Sequence, residues 1–290
     1  MFVTNRNGEK EEVSFDKILT RVNRLVKMNN SIEGKINTTL ICQKTISRMY
    51  DGIQTSELDN LAATVCAAMS VDNPYYEEVA SRLTVSNLHK NTDDKYKNVV
   101  EILYKNTRSD DMNFPLVSDE FYNFVMENHE TLDRIIDYNR DYNLGFFSLK
   151  TLEKSYLLKV NNKTIERPQH LFLRVAIGIH KDDIDSVRQT YDMLSKKYFT
   201  HATPTLYNSG TSRPQMSSCF LAGIDDSVED IFETIGDLAN ISKWSGGIGL
   251  SIGDIRAENS IIRKTNGLST GIMPLLKVLN GVSGIYKSRW

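Results

Sequence analysis

Cys219 stands in surroundings unlike those of the chain's other two cysteines. It follows Ser217 and Ser218 directly, and a Gly-Gly-x-Gly run at Gly246, Gly247 and Gly249, which reads as a turn, comes downstream. A thiol among small hydroxyls and glycines is poor material for an apolar core. It suits a place where a polar small molecule lies against backbone and sulfur. Cys42 and Cys66 sit at apolar helix positions instead and read as small buried hydrophobes. With no Cys-x-x-Cys pair, the three cysteines argue against a disulfide framework or a structural zinc site. The five histidines (His89, His129, His170, His180 and His201) share no ligand spacing such as His-x-x-x-His, so no metal is expected. His170 and His180 read as capping or packing side chains.

Composition sets the outer bounds. A chain of 290 residues, 40% hydrophobic, can bury one large core or several smaller ones. With 35 basic and 37 acidic residues, no broad attraction to nucleic acid or to an anionic membrane is implied. The first dozen residues are charged and lack the apolar run of a signal peptide. No stretch approaches the ~18 uninterrupted apolar residues of a spanning helix. Asn37 and Asn162 open glycosylation-like triplets that read as chance in a chain expected to be cytoplasmic.

The elements that position these residues are legible in outline. Phe2 to Arg6 and Glu11 to Phe15 are extended runs around Asn7-Gly8, a hairpin signal because both turn positions tolerate positive φ. A helix opens near Asp16, a second spans Asn37 to Tyr50, and a third starts at an expected capping box, Ser56-Glu57-Leu58-Asp59. A fourth runs from Asn73-Pro74 towards Lys90. Pro168 opens an amphipathic helix with Leu171, Val175 and Ile179 on one face. Asp226 or Ser227 caps a helix carrying Ile231, Phe232, Ile235, Leu238 and Ala239 at helical spacing.

A hairpin plus four helices, with Val13-Ser14-Phe15-Asp16-Lys17-Ile18, Glu57-Leu58-Asp59 and Val85-Ser86-Asn87-Leu88-His89-Lys90, resembles the ATP cone that begins many class I ribonucleotide reductase large subunits. The stretch around Pro168 and the run from Thr200 to Arg256 resemble the same family almost continuously. The implied fold is α/β: a cone over 1–92, an all-helical domain over 93–199, and over 200–290 the opening portion of a ten-stranded α/β barrel, with its first strand. A cone-bearing transcription repressor is set aside, because the zinc ribbon is absent and the charge is balanced.

The resemblance implies three sites. An allosteric activity site for ATP or dATP would gather Asn5, Arg6, Glu11, Glu12, Val13, Ser14, Phe15, Asp16, Lys17, Thr55, Asp59 and Lys90. There Arg6, Lys17 and Lys90 supply cations for a triphosphate, the helix start near Asp16 supplies amides, and Asp59 accepts from base or ribose. Asn5 and Glu12 depart from the family pattern. A specificity site for deoxynucleoside triphosphates would use Asp226, Ser227, Val228, Lys243 and Arg256, beside a flexible loop holding Arg263 and Lys264. Those last two stand where the family often shows small residues. Substrate would meet Thr203, Ser218 and the backbone amide of Gly247, with Cys219 as a redox-active thiol.

Also implied are a large-subunit homodimer, a small subunit carrying a diiron-tyrosyl radical, and a dithiol reductant such as thioredoxin or glutaredoxin. No cofactor is expected on this chain itself. The match is expected to fade after Leu279, and the chain ends before the family's radical cysteine. Either a second chain carries the missing C-terminal half or the reading frame is interrupted. On that reading the 290 residues alone reduce no ribonucleotide. The alternative is a nucleotide-binding or subunit-interaction fragment without catalysis.

Overall fold

The computed structural model describes residues 1–28, 32–107, 112–244, 246–263 and 265–283. They fall into two compact units, Met1–Tyr198 and Phe199–Trp290. Among the described residues no helix is long and apolar enough to cross a membrane.

The first unit opens with the expected hairpin. Strand β1 (Phe2–Thr4) pairs antiparallel with β2 (Lys10–Glu12), and Gly8 takes a positive φ of 84° in the turn. A third strand, β3 (Ile53–Gln54), was not foreseen and lies parallel to β1 on its other edge. Gly52, at φ 82°, turns the chain into it and donates its amide to the Phe2 carbonyl at 2.8 Å. Helix α1 (Phe15–Val26) is capped by Ser14, and α2 (Thr38–Ile46) stops short of the expected Tyr50.

The capping box at Ser56 does not form. Strand pairing holds Gln54 extended, so α3 (Thr55–Met69) starts directly from β3 and Ser56 lies in its first turn. Helix α4 (Tyr75–Asn91) follows Pro74. The apolar faces of α1 to α4 enclose Val22, Ile41, Cys42, Ala63, Cys66 and Val79, all fully buried. Burial pushes the Cys42 thiol up to about 11 and Cys66 up to about 12, as expected of cysteines serving as core.

Beyond α4 come α5 (Tyr96–Tyr104), α6 (Asp119–Ile135), α7 (Phe146–Thr151), the short strands β4 (Lys159–Val160) and β5 (Lys163–Thr164), α8 (Pro168–His180) and α9 (Ile184–Ser195). Helix α8 departs from the amphipathic expectation: every residue from 168 to 177 is buried, and Ile179 lies only partly so. Its polar residues are tolerated because each has a partner. Arg174 donates through Nε to Glu166 at 2.6 Å, with both side chains essentially unexposed. Gln169 donates to Asp141 at 2.9 Å and accepts from Tyr191 at 2.7 Å. The Arg167 amide donates to His170 Nδ1 at 3.1 Å, so Nε2 carries the proton towards Tyr138 Oη, 2.7 Å away. Burial holds His170 well below the usual histidine range. His180 pairs with Thr190. Both histidines are packing groups, as expected.

The second unit contains α10 (Thr203–Asn208), β6 (Cys219–Gly223), α11 (Val228–Lys243), β7 (Gly247–Ser251), the hairpin of β8 (Ile261–Ile262) and β9 (Gly267–Leu268), and α12 (Ile272–Ser283). Strands β6 and β7 are parallel, in register from Cys219 opposite Gly247 to Gly223 opposite Ser251, with α11 crossing between them. Two barrel-type strands are therefore present where one was expected. The Gly-Gly-x-Gly run is not a turn but leads into and forms part of β7. A Cβ on Gly246 would sit 2.7 Å from both Phe220 and Ile241, and one on Gly249 would sit 2.9 Å from Leu221, so these positions bring strand, neighbour strand and helix close together.

Candidate functional site

Two adjoining cavities open at the edge of the first sheet. The smaller, about 250 Å³, is lined by Arg6, Glu11, Glu12, Val13, Ser14, Lys17, Thr55, Asp59 and Lys90 from the expected activity site. Arg21, Val3, Ile18, Val22, Leu58, Ala62 and Leu83 complete it. The larger, about 570 Å³, shares Arg6, Thr55 and Lys90 and adds Asn5, Asn91 and Lys163 among others. Phe15 and Asp16 line neither cavity. The amide of Lys17 is held by Ser14 Oγ, so the α1 start offers fewer free donors than expected.

Asp59 organises the wall. It is 8% exposed and is met by Arg6 at 3.3 Å, by Arg21 at 3.1 Å and by Lys90 at 3.5 Å. Both of its oxygens are engaged: Arg21 Nε reaches Oδ1 at 3.2 Å, and the other three contacts fall on Oδ2. In this structure Asp59 holds three cations in place. Arg6 is further fixed by Asn87 at 2.6 Å and Asn91 at 3.0 Å. Burial, helped by neighbouring Arg21 and Arg6, holds Lys90 below the usual lysine range despite Asp59. Three cations against one carboxylate leave an excess of positive charge that an anion would relieve.

The other expected cation, Lys17, is exposed and paired with Glu11 at 2.8 Å, which keeps Glu11 below the usual carboxylate range. Asn5 bonds to both Glu9 and Glu11 at 2.9 Å and shapes the hairpin turn. Sequence reasoning missed Arg21. Its position four residues after Lys17 on one helix was the available signal.

In the second unit Cys219 begins β6 and is exposed, and the Ser218 hydroxyl donates to its sulfur at 3.4 Å. Along β6, Phe220 and Ala222 point to the α11 side while Cys219 and Leu221 alternate to the other. Gly247 faces Cys219 across the ladder, but its amide donates to the Ser218 carbonyl at 2.7 Å. Thr203 opens α10, which is tied by Thr205 and Asn208 to the carbonyls of Met216 and Gln215, just ahead of Ser217.

At the other end of the strands Ser227 caps α11, accepting from the Asp230 amide at 3.1 Å, and Asp226 pairs with Arg256 beyond β7. Val228, the first helical residue, is exposed. Lys243 lies at the opposite end of α11, about 24 Å from Ser227 by helical rise, beside the Trp244 ring. One chain therefore does not gather the expected specificity residues into one place. Arg263 is exposed and follows β8, which pairs antiparallel with β9. Lys264 lies outside the described residues. No group of His, Cys, Asp and Glu suited to a metal occurs among the described residues.

The fold and these sites define a class: a two-unit protein with a cation-lined cavity in one unit and a surface thiol on a parallel strand–helix–strand unit in the other. Three family models lie along the chain in order: the ATP cone domain over residues 1–91, the ribonucleotide reductase all-alpha domain over 142–214, and the ribonucleotide reductase barrel domain over 217–289. The chain belongs to the ribonucleotide reductase large-subunit family.

The barrel match includes the segment after Leu279, where the resemblance had been expected to fade. Relatives named ribonucleoside-diphosphate reductase large subunit or large chain include one from Plasmodium falciparum, 52% identical over 97% of this chain, one from Saccharomyces cerevisiae, 47% over 98%, and one from Vaccinia virus, 47% over 100%. They are covered over 34%, 33% and 39% of their own lengths, so the chain spans about a third of the relatives it matches.

Proposed function

We propose that this chain supplies the nucleotide-sensing and substrate-entry part of a ribonucleoside-diphosphate reductase large subunit, a cytoplasmic enzyme making deoxyribonucleoside diphosphates. The reading rests above all on the convergence of Arg6, Arg21 and Lys90 on one carboxylate, Asp59, in the lining of a 250 Å³ cavity that adjoins a larger one of 570 Å³. The cone over 1–92 binds ATP or dATP there, with the helical segment over 93–199 behind it and the barrel segment from 200 carrying Cys219.

Reduction at the ribose 2′ carbon takes two electrons and two protons. Two thiols supply them by closing to a disulfide while the 2′ hydroxyl departs as water. Cys219 is one such thiol. Cys42 and Cys66 are buried in the cone core, so the second thiol comes from elsewhere in the working enzyme. A small subunit with a diiron-tyrosyl centre starts the radical chemistry, and a dithiol protein re-reduces the disulfide. Thr203 and Ser218 bind the substrate through their hydroxyls.

The specificity site forms between two copies. Lys243 of one α11 reaches Asp226, Ser227 and Arg256 of the other when the helices run antiparallel. Val228 and Phe232, each 66% exposed and one turn apart, give that pairing an apolar face.

Calorimetry on the 290-residue protein tests the cone reading. ATP and dATP should bind, and Arg21→Ala should weaken binding by roughly 1–3 kcal/mol, the scale of a charge-assisted hydrogen bond. No heat with either nucleotide at millimolar concentration would refute it.

A further inference from the structure

The larger cavity is walled on one side by the cone and on the other by residues well beyond it in sequence: Glu153, Lys163 and Thr164. Its 570 Å³ space shares the lining residues Arg6, Thr55 and Lys90 with the 250 Å³ cavity, whose lining is richer in apolar side chains. Such a pair of compartments fits an amphiphilic ligand with its ring in the smaller, partly apolar space and its charge in the larger, polar one.

The position of Lys163 is built rather than accidental. It follows a two-residue turn in which Asn161 and Asn162 both take positive φ, 50° and 61°, the geometry that closes a tight hairpin. The base of that hairpin is held by buried Glu166, which accepts from the Leu158 amide at 2.9 Å and is locked by Arg174. Lys163 makes no ion pair among the described residues. Glu153 on the same wall is already neutralised by Lys150 at 2.9 Å, so the local balance favours an anion.

We propose that Lys163 is a ligand for the terminal phosphates of a nucleoside triphosphate held in the cone, so that this nucleotide bridges the cone and the helical segment. The proposal rests on the cone reading given above. Lys163 touches the far end of the ligand only, and its contribution appears with the phosphate count. A nucleoside monophosphate, seated at the ring end, does not reach it.

The test is calorimetric titration of the 290-residue protein and its variants with ATP, ADP and AMP. Lys163→Ala should weaken ATP binding roughly five- to twenty-fold, the range for a charged contact discounted for solvent exposure, and leave AMP unchanged. Lys163→Arg should restore ATP binding and Lys163→Glu should weaken it further. Phosphorus NMR of bound ATP should show the γ resonance shifted by Lys163→Ala and the α resonance unmoved. Wild-type ATP affinity in Lys163→Ala, alongside a loss in Arg21→Ala, overturns the proposal and leaves the cone reading standing. Equal weakening of ATP and AMP by Lys163→Ala also overturns it, by showing a general structural effect. Absence of nucleotide binding by the wild-type chain overturns both.

Discussion

Three cysteines with one chemistry behave as two kinds of residue because of what surrounds them. Cys42 and Cys66 are closed in apolar surroundings that disfavour the thiolate, whereas Cys219 is exposed beside a hydroxyl donor. A thiol reagent applied to native protein should therefore label one site per chain, and Cys219→Ser should abolish the fast phase. Cys42 and Cys66 should react only after denaturant is added. Two fast equivalents in Cys219→Ser would show that the cone core opens on its own. The contrast between these cysteines was legible in sequence because it depends on immediate neighbours. The cation cluster on Asp59 was not, because Arg6, Arg21 and Lys90 reach it from a turn and two other helices. Arg21 was overlooked for the same reason.

Elements repeat this pattern. Local chemistry announced the Asn7-Gly8 hairpin, the Pro168 helix start and the Ser227 cap, and each is present. Strand β3 escaped notice because it is two residues long and exists only through pairing with β1. Helix α8 was misjudged because the partners that let Gln169 and Arg174 go inside lie on other segments. The glycines before and within β7 looked like a turn in sequence, yet two of them serve packing in different degrees. Gly246→Ala places a methyl against Phe220 and Ile241 at 2.7 Å, both held between strand and helix, and should cost about 1–3 kcal/mol. Gly249→Ala meets only the end of Leu221, which is 92% exposed and can swing aside, so it should cost under about 1 kcal/mol. Thermal unfolding of the two variants measures the difference, and equal losses would mean that β7 is not packed as described.

At the scale of the whole molecule, Lys243 and Ser227 stand at opposite ends of one helix, so the proposed specificity site calls for a second copy of the chain. Sedimentation with saturating dTTP should therefore show a shift towards dimer, since a ligand shared across an interface favours the associated state. Arg256→Ala should weaken that shift, and an unchanged mass with dTTP would argue against a shared site. The division into two units was visible in sequence only as a change of motif near Thr200. The way the cone is seated in the first unit was not visible at all. Helix α4 buries Val85 against Leu144 and Leu149, sends the Ser81 hydroxyl to the Leu144 carbonyl, and through Glu77 accepts the Phe146 amide at 2.6 Å. Phe146 in turn packs on the core shared by α1 to α4. The consequence is one of modularity: the cone reads as a cassette in sequence but is not portable as one. A graft ending just after α4 would leave behind the 144–149 segment that covers its outer side, and a transplant that keeps the cone's packing must carry that segment with it.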